Sequence, residues 1–459
     1  MNNVKIKKNI HQIDEVEYSK KFKKGLSKAV VESVSADKKE PQWMLEHRLE
    51  CLQIFNELEL PKWGPTLSDL NLNEIVYYAK TSDAKARKWE DVPVEIKDTF
   101  DALGILQAEA KYLSGVGAQF ESTVVYHKLK KELEDRGVIF LDLDSALRSH
   151  EEIVKKYFMK CISPRLHKFA ALHGAVWSGG TFLYVPKGVK IVDPLQAYFR
   201  MNSANMGQFE HTLIVVEEGA EAHYIEGCSA PRWGVNSLHA GCVEVYVEKS
   251  AHFRYSSVEN WSRDAYNLNT KRAIIKKDAH MEWVGGNFGS QVTMLYPCSV
   301  LVEPGASADH LGVAFAGRGQ NQDTGAKVIH AAPNTSSNVV SKSITRNGGI
   351  STYRGEVIIL PVARNSISNV KCDAIMLGDN SESNTYPKIK IENNTSSVTH
   401  EATAGKLNET DIFYLTSRGI NESAARSLIL NGFINPIAKE LPLEYAVEMN
   451  RMVELELIA

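Results

Sequence analysis

Apolar residues recur at two different spacings along this chain, and the change of spacing divides it. In QWMLEHRLECLQIFNELEL, after Pro41, the residues Trp43, Leu45, Leu49, Leu52, Phe55 and Leu58 recur at helical intervals. Pro61, Gly64 and Pro65 break that pattern. Pro93 opens a second helical stretch, VEIKDTFDALGILQAEAKYL, and Asp144 is placed to cap SALRSHEEIVKKYFMK. From about Leu172 to about residue 400 the runs are short, β-branched and broken by Gly, Asn, Ser and Pro. Helical spacing then returns. Gly419 is a C′ glycine, Asn421 an N-cap for ESAARSLILNGF ending at Gly432, and Pro442 opens LEYAVEMNRMVELELI. The expected division is a helical region over 1–160, a β-rich core over 161–403 and a helical region over 404–459.

Within the β-rich core one pattern repeats. A β-branched run, a charged pair, a turn residue and an alanine end at Ala220, Ala251, Ala279 and Ala306, with spacings 251−220 = 31, 279−251 = 28 and 306−279 = 27. A second strand-like run follows each alanine. Strand–turn–strand units of this length stack as coils, each burying its apolar face on the next. The fold class expected is mainly β: a right-handed parallel β-helix flanked by N-terminal and C-terminal helical regions. A two-sheet sandwich is the alternative, and it favours hairpin turns of the Asn-Gly type. Beyond Ala306 the repeat blurs, but VIILPVA ends at Ala363, two periods of about 28 further on. The C-terminal helices are expected to pack on the last coil as a cap and to offer a docking platform.

Composition narrows the function classes. Net charge is −3, which gives no electrostatic case for a nucleic-acid or membrane partner. No run of about 18 apolar residues exists. The lysine-rich start has no apolar h-region, so the expected location is cytoplasmic. Six cysteines, none in a C-x-x-C pair, exclude a self-contained zinc or ferredoxin-type site and read as free thiols. GRGQNQDTGAK lacks the Gly-Lys-Ser/Thr of a phosphate loop, so no means of nucleotide hydrolysis is visible.

A solenoid turns sequence period into spatial neighbourhood. Cys372 and Glu401 are 401−372 = 29 apart, inside the repeat range, with His400 alongside; thiolate, carboxylate and imidazole are iron or zinc ligand types. Two or three such groups do not close a site, so further ligands are expected from a partner chain. Arg200 precedes Cys228 by 28 residues and Ser257 follows it by 29. An arginine one coil away would favour a nucleophilic thiolate. Cys228 and Cys372 are 144 apart, about five periods, which predicts one column and a separation of about 24 Å.

The strings VGAQFESTVVYHKL, AVWSGGTFLYVPKGVK, PLQAYFRMNSANMGQFEHTLIVVEEGA, YIEGCSAP, ENWS, APNTSSNVVSKSI, HEATAGK and LPLEYAVEMNR closely resemble the SufB/SufD family of the Suf iron–sulfur cluster assembly system, in its SufB branch. The likeness runs in order from about residue 40 to the C-terminus. It implies a scaffold and not an enzyme, working in a SufB–SufC–SufD complex. The C-terminal helices would bind the ATPase SufC, and the chain would pair with SufD or with a second copy of itself. By this resemblance Cys228 is the sulfur acceptor loaded by a cysteine desulfurase relay. Cys372 and Glu401 are ligands of a transient 2Fe–2S or 4Fe–4S cluster, with His400 a weaker ligand candidate and Arg200 a support for the Cys228 thiolate. Some complexes of the family also use a reduced flavin. The cysteine-rich N-terminal motif of some relatives is missing here. A polysaccharide lyase or hydrolase on the same fold is a rival reading, as is an adaptor that links SufC to SufD without ligating anything.

Overall fold

The structure is a computed structural model, and it describes residues 18–80, 113–202, 205–231, 237–378 and 380–440. The helical stretches expected after Pro93 and Pro442 lie outside the described residues.

The β-rich core is a parallel solenoid of about seven turns built on two long faces. One face carries β1 (Thr181–Val185), β3 (His211–Val216), β5 (Cys242–Val247), β7 (Thr270–Ile275), β9 (Cys298–Leu301), β11 (Asn321–His330), β13 (Ile350–Ile359) and β15 (Glu382–Ile391). The other carries β2 (Leu195–Arg200), β4 (Glu221–Ser229), β6 (His252–Trp261), β8 (His280–Gly289), β10 (Ser307–Ala316), β12 (Ser336–Arg346), β14 (Ile367–Leu377) and β16 (Ser397–Lys406). Every coil therefore contributes one odd and one even strand. Each strand pairs in parallel with its equivalents one coil before and after.

The repeated alanine has a local cause. The residue before it lies in the left-handed region: Gly219 (φ 68°), Ser250 (55°), Asp278 (54°) and Gly305 (77°). The amide of each alanine closes a turn onto the carbonyl three residues back, as Ala220 does on Glu217 at 3.0 Å. The methyl is buried where the chain swings from an odd to an even strand, and a larger apolar group would not fit between coils. The blurring after Ala306 is also explained. Asn334 and Asn365 keep the left-handed turn, but Thr335 and Ser366 take the alanine's place. Their hydroxyls hydrogen-bond across the coils at 2.7 Å. Ala363 still closes a turn on Leu360, yet three more residues follow it, so Ser366 is the true equivalent of Ala306.

The flanking regions lie along the sides of the solenoid. Met44, Leu143, Phe158 and Trp177 pack over Leu213, Val215 and Tyr246 on the outer face of the odd-numbered sheet. Part of the stretch expected to be helical is strand: Gly115–Phe120 extends the even-numbered sheet beyond β2, and Thr123–Leu129 pairs with it as a hairpin. Asp142, and not Asp144, caps the helix Leu143–Ser149 by accepting from the Ser145 amide at 2.9 Å. Asp144 is taken up by Lys38 at 2.5 Å.

At the other end, Gly419 (φ 87°) and Asn421 act as expected, but the helix Glu422–Ala438 runs through Gly432. It does not cap the last coil. Leu430, Ile434 and Ile437 pack on Val258, Val284, Phe288, Val313 and Phe315, an apolar stripe crossing the outer face of β6, β8 and β10. That stripe offers more apolar surface than the mostly exposed strands β15 and β16. Among the described residues no helix is long and apolar enough to cross a membrane.

One buried carboxylate ties the N-terminal flank to the solenoid. Glu244, pointing out of β5, accepts from the amides of Cys161 and Ile162 at 2.9 Å each and from that of Met159. Its other contact is His211, which is linked in turn to His173 at 2.9 Å. Glu244→Ala leaves three buried amide donors without a partner, at about 1–3 kcal/mol each. Urea unfolding is expected to register a loss of at least about 3 kcal/mol, and a loss below about 1 kcal/mol would refute this anchoring role.

Candidate functional site

The candidate residues Cys228, Cys372 and His400 lie on the inward face of the even-numbered sheet. Along β4 the side chains of Tyr224, Glu226 and Cys228 point inward, alternating with outward residues. In the register, Glu226 stands opposite Ser257, then Gly285, Gly312, Ser341 and finally Cys372. Cys228 stands two residues further along, in the column of Glu259, Asn287, Ala314 and Ser343. The two cysteines thus share one inner face, five strand steps or about 24 Å apart. Small residues fill most of the positions between them. An internal cavity is lined there by Ser257, Lys271, Gly285, Gly312, Ser341 and Tyr353.

Around Cys228 the interior is highly charged for a buried region. Lys271, reaching in from β7, donates to Glu259 at 2.7 Å and to Ser257 at 3.1 Å, both fully buried. Asn267 donates to the other oxygen of Glu259 at 2.6 Å and accepts from His239 at 2.8 Å, which in turn contacts Glu210. Burial opposes the charge on Lys271, but the Glu259 carboxylate outweighs it and raises the lysine's pKa. Burial likewise works against ionised Glu259, yet Lys271 and His239 bring its pKa below the usual carboxylate value. Glu226 accepts from Thr212 at 3.3 Å, and burial pushes it up to about 7, with Lys271 opposing only in part. The Cys228 thiol, 1% exposed and 4.0 Å from Glu226 Oε1, is driven well above its ordinary pKa by burial and then by Glu226 and Glu259; Lys271 opposes them.

The arginine expected beside Cys228 is elsewhere. The coil between β2 and β4 is 29 residues long, so Cys228 stands opposite Phe199 and Arg200 opposite Ser229. Arg200 Nη1 donates to Ser229 Oγ at 3.1 Å on the other face of the sheet. The next coil is 31 residues long, which brings Glu259 and not Ser257 opposite Cys228. The cation facing this thiol is Lys271. Its sequence signal is a charged residue in the inward column occupied by Thr212 and Val243 on the two preceding coils.

A similar one-residue step rearranges the second cluster. Cys372 stands opposite Ala402, because 402−372 = 30, and Val370 opposite His400. His400 and Cys372 share the inner face, with Nε2 and Sγ 3.6 Å apart. Glu401 faces out, opposite Lys371, and its carboxylate meets that ammonium at 3.7 Å in solvent. Cys372 is 5% exposed, and burial pushes its thiol up to about 12, with the Tyr353 hydroxyl opposing. The cluster lies one coil from the end, since β16 pairs only with β14 among the described residues. All six cysteines are buried free thiols.

This combination of a thiol-bearing solenoid interior and two flanking regions has relatives. Residues 199–433 match the family model for the SUF system FeS cluster assembly SufBD core domain, and residues 91–197 match the SufBD protein N-terminal region. The chain belongs to the SufBD family. It is 53% identical over 434 residues to an iron–sulfur cluster assembly SufBD family protein of Staphylococcus aureus strain MRSA252, covering 95% of this chain and 93% of that one. A SufBD family protein of Staphylococcus haemolyticus strain JCSC1435 is 52% identical over the same length and shares. SufBD proteins are components of iron–sulfur cluster assembly.

Proposed function

We propose that this SufBD protein is a SufB-type scaffold, on which sulfur received at Cys228 and iron are assembled into a cluster at Cys372. The observation carrying this reading is the inner face between the two cysteines, where the column Ser257, Gly285, Gly312 and Ser341 runs from beside the buried Lys271 to Cys372 and its neighbouring imidazole. A cysteine desulfurase relay would leave a persulfide on Cys228. Two electrons and one proton release its terminal sulfur as hydrosulfide and return Cys228 to the thiolate. A reduced flavin in the complex is a source for those electrons. Lys271 favours both the thiolate and the passing anion. At the far end Cys372 and His400 supply one thiolate and one imidazole, ligand types that suit iron. The remaining ligands of the 2Fe–2S or 4Fe–4S cargo come from SufD or a second copy, across the edges of β15 and β16 that are unpaired among the described residues. Phe413, Tyr414 and Leu428 are exposed on the C-terminal helices, an apolar surface suited to the ATPase SufC.

The column itself is the test. A Cβ at Gly312 would meet nothing within 4 Å, so Gly312→Ala is tolerated, whereas Gly312→Leu projects into the cavity. With isotopically labelled cysteine and desulfurase, both variants in the anaerobic complex are expected to label Cys228 as the unmutated chain does. Only Gly312→Leu loses cluster-bound sulfide. Equal cluster sulfide in a folded Gly312→Leu complex would sink the internal route.

A further inference from the structure

A second set of ligand-type side chains lies on the outer face of the even-numbered sheet, three coils from Cys372 and on the opposite side of the strands. His252 on β6 stands directly opposite His280 on β8, and Glu282 follows His280 by two residues on the same face. One donor atom from each of the three falls within 4.8 Å of the others. Among the described residues this is the one trio of histidine, cysteine or carboxylate donors that converges in this way. The inward residues beside them, Phe253 and Met281, are core, so the trio is held on a rigid ladder.

We propose that His252, His280 and Glu282 bind a divalent first-row transition-metal ion of the Fe(II) or Zn(II) class, at a site separate from the inner-face thiols. Donors about 2.1 Å from one ion lie about 3.0–3.5 Å apart. Here His252 Nε2 is 2.5 Å from Glu282 Oε1, and His280 Nε2 is 3.9 Å from it. The two spacings straddle the required one, and side-chain torsions alone can close the difference. Two imidazoles and one carboxylate with open positions suit Fe(II) and related ions.

The surroundings orient the donors. Ser307 Oγ lies 2.7 Å from His280 Nδ1 and 3.4 Å from the Ala279 carbonyl. With the hydroxyl donating to that carbonyl and accepting from His280 Nδ1–H, the Nε2 lone pair of His280 is left facing the trio. Arg254 donates twice to Glu282 Oε2, at 2.9 and 2.5 Å, and so leaves Oε1 for an ion.

The charge balance also favours a cation. Asp309 Oδ2 lies 3.8 Å from His280 Nε2, a further oxygen donor within reach. Arg254 is also paired with Glu440 at 3.0 Å. Two carboxylates therefore share one guanidinium, and Asp309 adds a third beside His280. Access is open from solvent, since the His252 side chain is 45% exposed and that of His280 31%, while Glu282 is 10% exposed.

The test uses the full chain, stripped with chelator, held anaerobic and titrated with Co(II) as a spectroscopic probe and then with Fe(II). Cys372→Ala is expected to leave the outer site unchanged. His280→Ala and His252→Gln are each expected to lose one equivalent of Co(II) with its visible d–d bands, or to weaken it at least about tenfold. Far-ultraviolet circular dichroism verifies folding, and the half-exposed His252 provides the variant least able to disturb it. The same Co(II) stoichiometry and spectrum in the unmutated chain and both variants would overturn the proposal and leave an ion-paired cluster only.

Discussion

Cys372→Ser is expected to abolish cluster formation in the anaerobically reconstituted complex, and His400→Ala to lower the yield more than Glu401→Ala does. The ordering follows from which face each side chain occupies. Successive residues of a strand point to opposite sides, so Cys372 and His400 meet inside while Glu401 leaves the interior altogether. An imidazole 3.6 Å from the sulfur needs only a small shift to share an ion with it. Removing it is expected to cost about 10–100-fold in iron affinity. Glu401 is already satisfied by Lys371 in solvent, where an exposed pair contributes about 0–1 kcal/mol, so its loss disturbs little on this side of the sheet. The Cys372 thiol, pushed up to about 12, is protonated at neutral pH, and each cluster bound there must displace that proton. Cluster absorbance and iron content read the outcome. Glu401→Ala as damaging as Cys372→Ser, beside a His400→Ala of normal yield, would reverse the assignment.

The solenoid is legible in the sequence because its turns need a special backbone. Gly219, Ser250, Asp278 and Gly305 each occupy a left-handed conformation before a buried alanine, and that requirement leaves a visible pattern. Where hydroxyls replace the alanines, at Thr335 and Ser366, the stacking persists through hydrogen bonds and the pattern fades. The candidate sites were harder to place for a sharper reason. Coil length on the even-numbered sheet is 29, 31, 28, 27, 29, 31 and 30 residues in turn. A fixed ruler of about 28 or 29 misses by one or two, and an error of one moves a side chain to the other face. Arg200 and Glu401 are both such errors: the true spacings of 29 and 30 set Phe199 opposite Cys228 and Ala402 opposite Cys372, and His400, two residues from Ala402, shares the inner face with Cys372. The polar network of Glu210, His239, Asn267, Glu259 and Lys271 gathers side chains from four strands, so no local string announces it. The C-terminal helices were legible as helices but not in position. The stripe that holds them, Val258 to Phe315, is formed only when outward residues of separate coils line up.

Lys271→Met is expected to destabilise the chain by about 3–5 kcal/mol, because it leaves the fully buried Glu259 charged and unpaired. The desolvation cost of a pair inside a protein is large, so the double variant Lys271→Met, Glu259→Gln should recover most of that loss. Chemical denaturation of the single and double variants measures both. The pH dependence has a definite sign. Without Lys271, the folded pKa of Glu259 rises above its unfolded value, so the unfolded chain releases the proton first. The deficit of Lys271→Met therefore grows as pH rises from below about 4.3 towards neutrality. A deficit constant over that range would mean that Glu259 is compensated by another group. Stability and sulfur chemistry then separate between the two variants. The single variant loses the cation that opposes the carboxylates around Cys228, whose thiol is already held well above its ordinary pKa, whereas the double variant also loses Glu259, a larger upward influence on that thiol than Lys271 is a downward one. Since only the thiolate accepts sulfur, persulfide loading of the folded Lys271→Met chain should fall about tenfold for each pKa unit added, and the double variant should recover it. A folded Lys271→Met chain that takes up sulfur at the unmutated rate would remove Lys271 from the sulfur chemistry and leave it a structural ion pair.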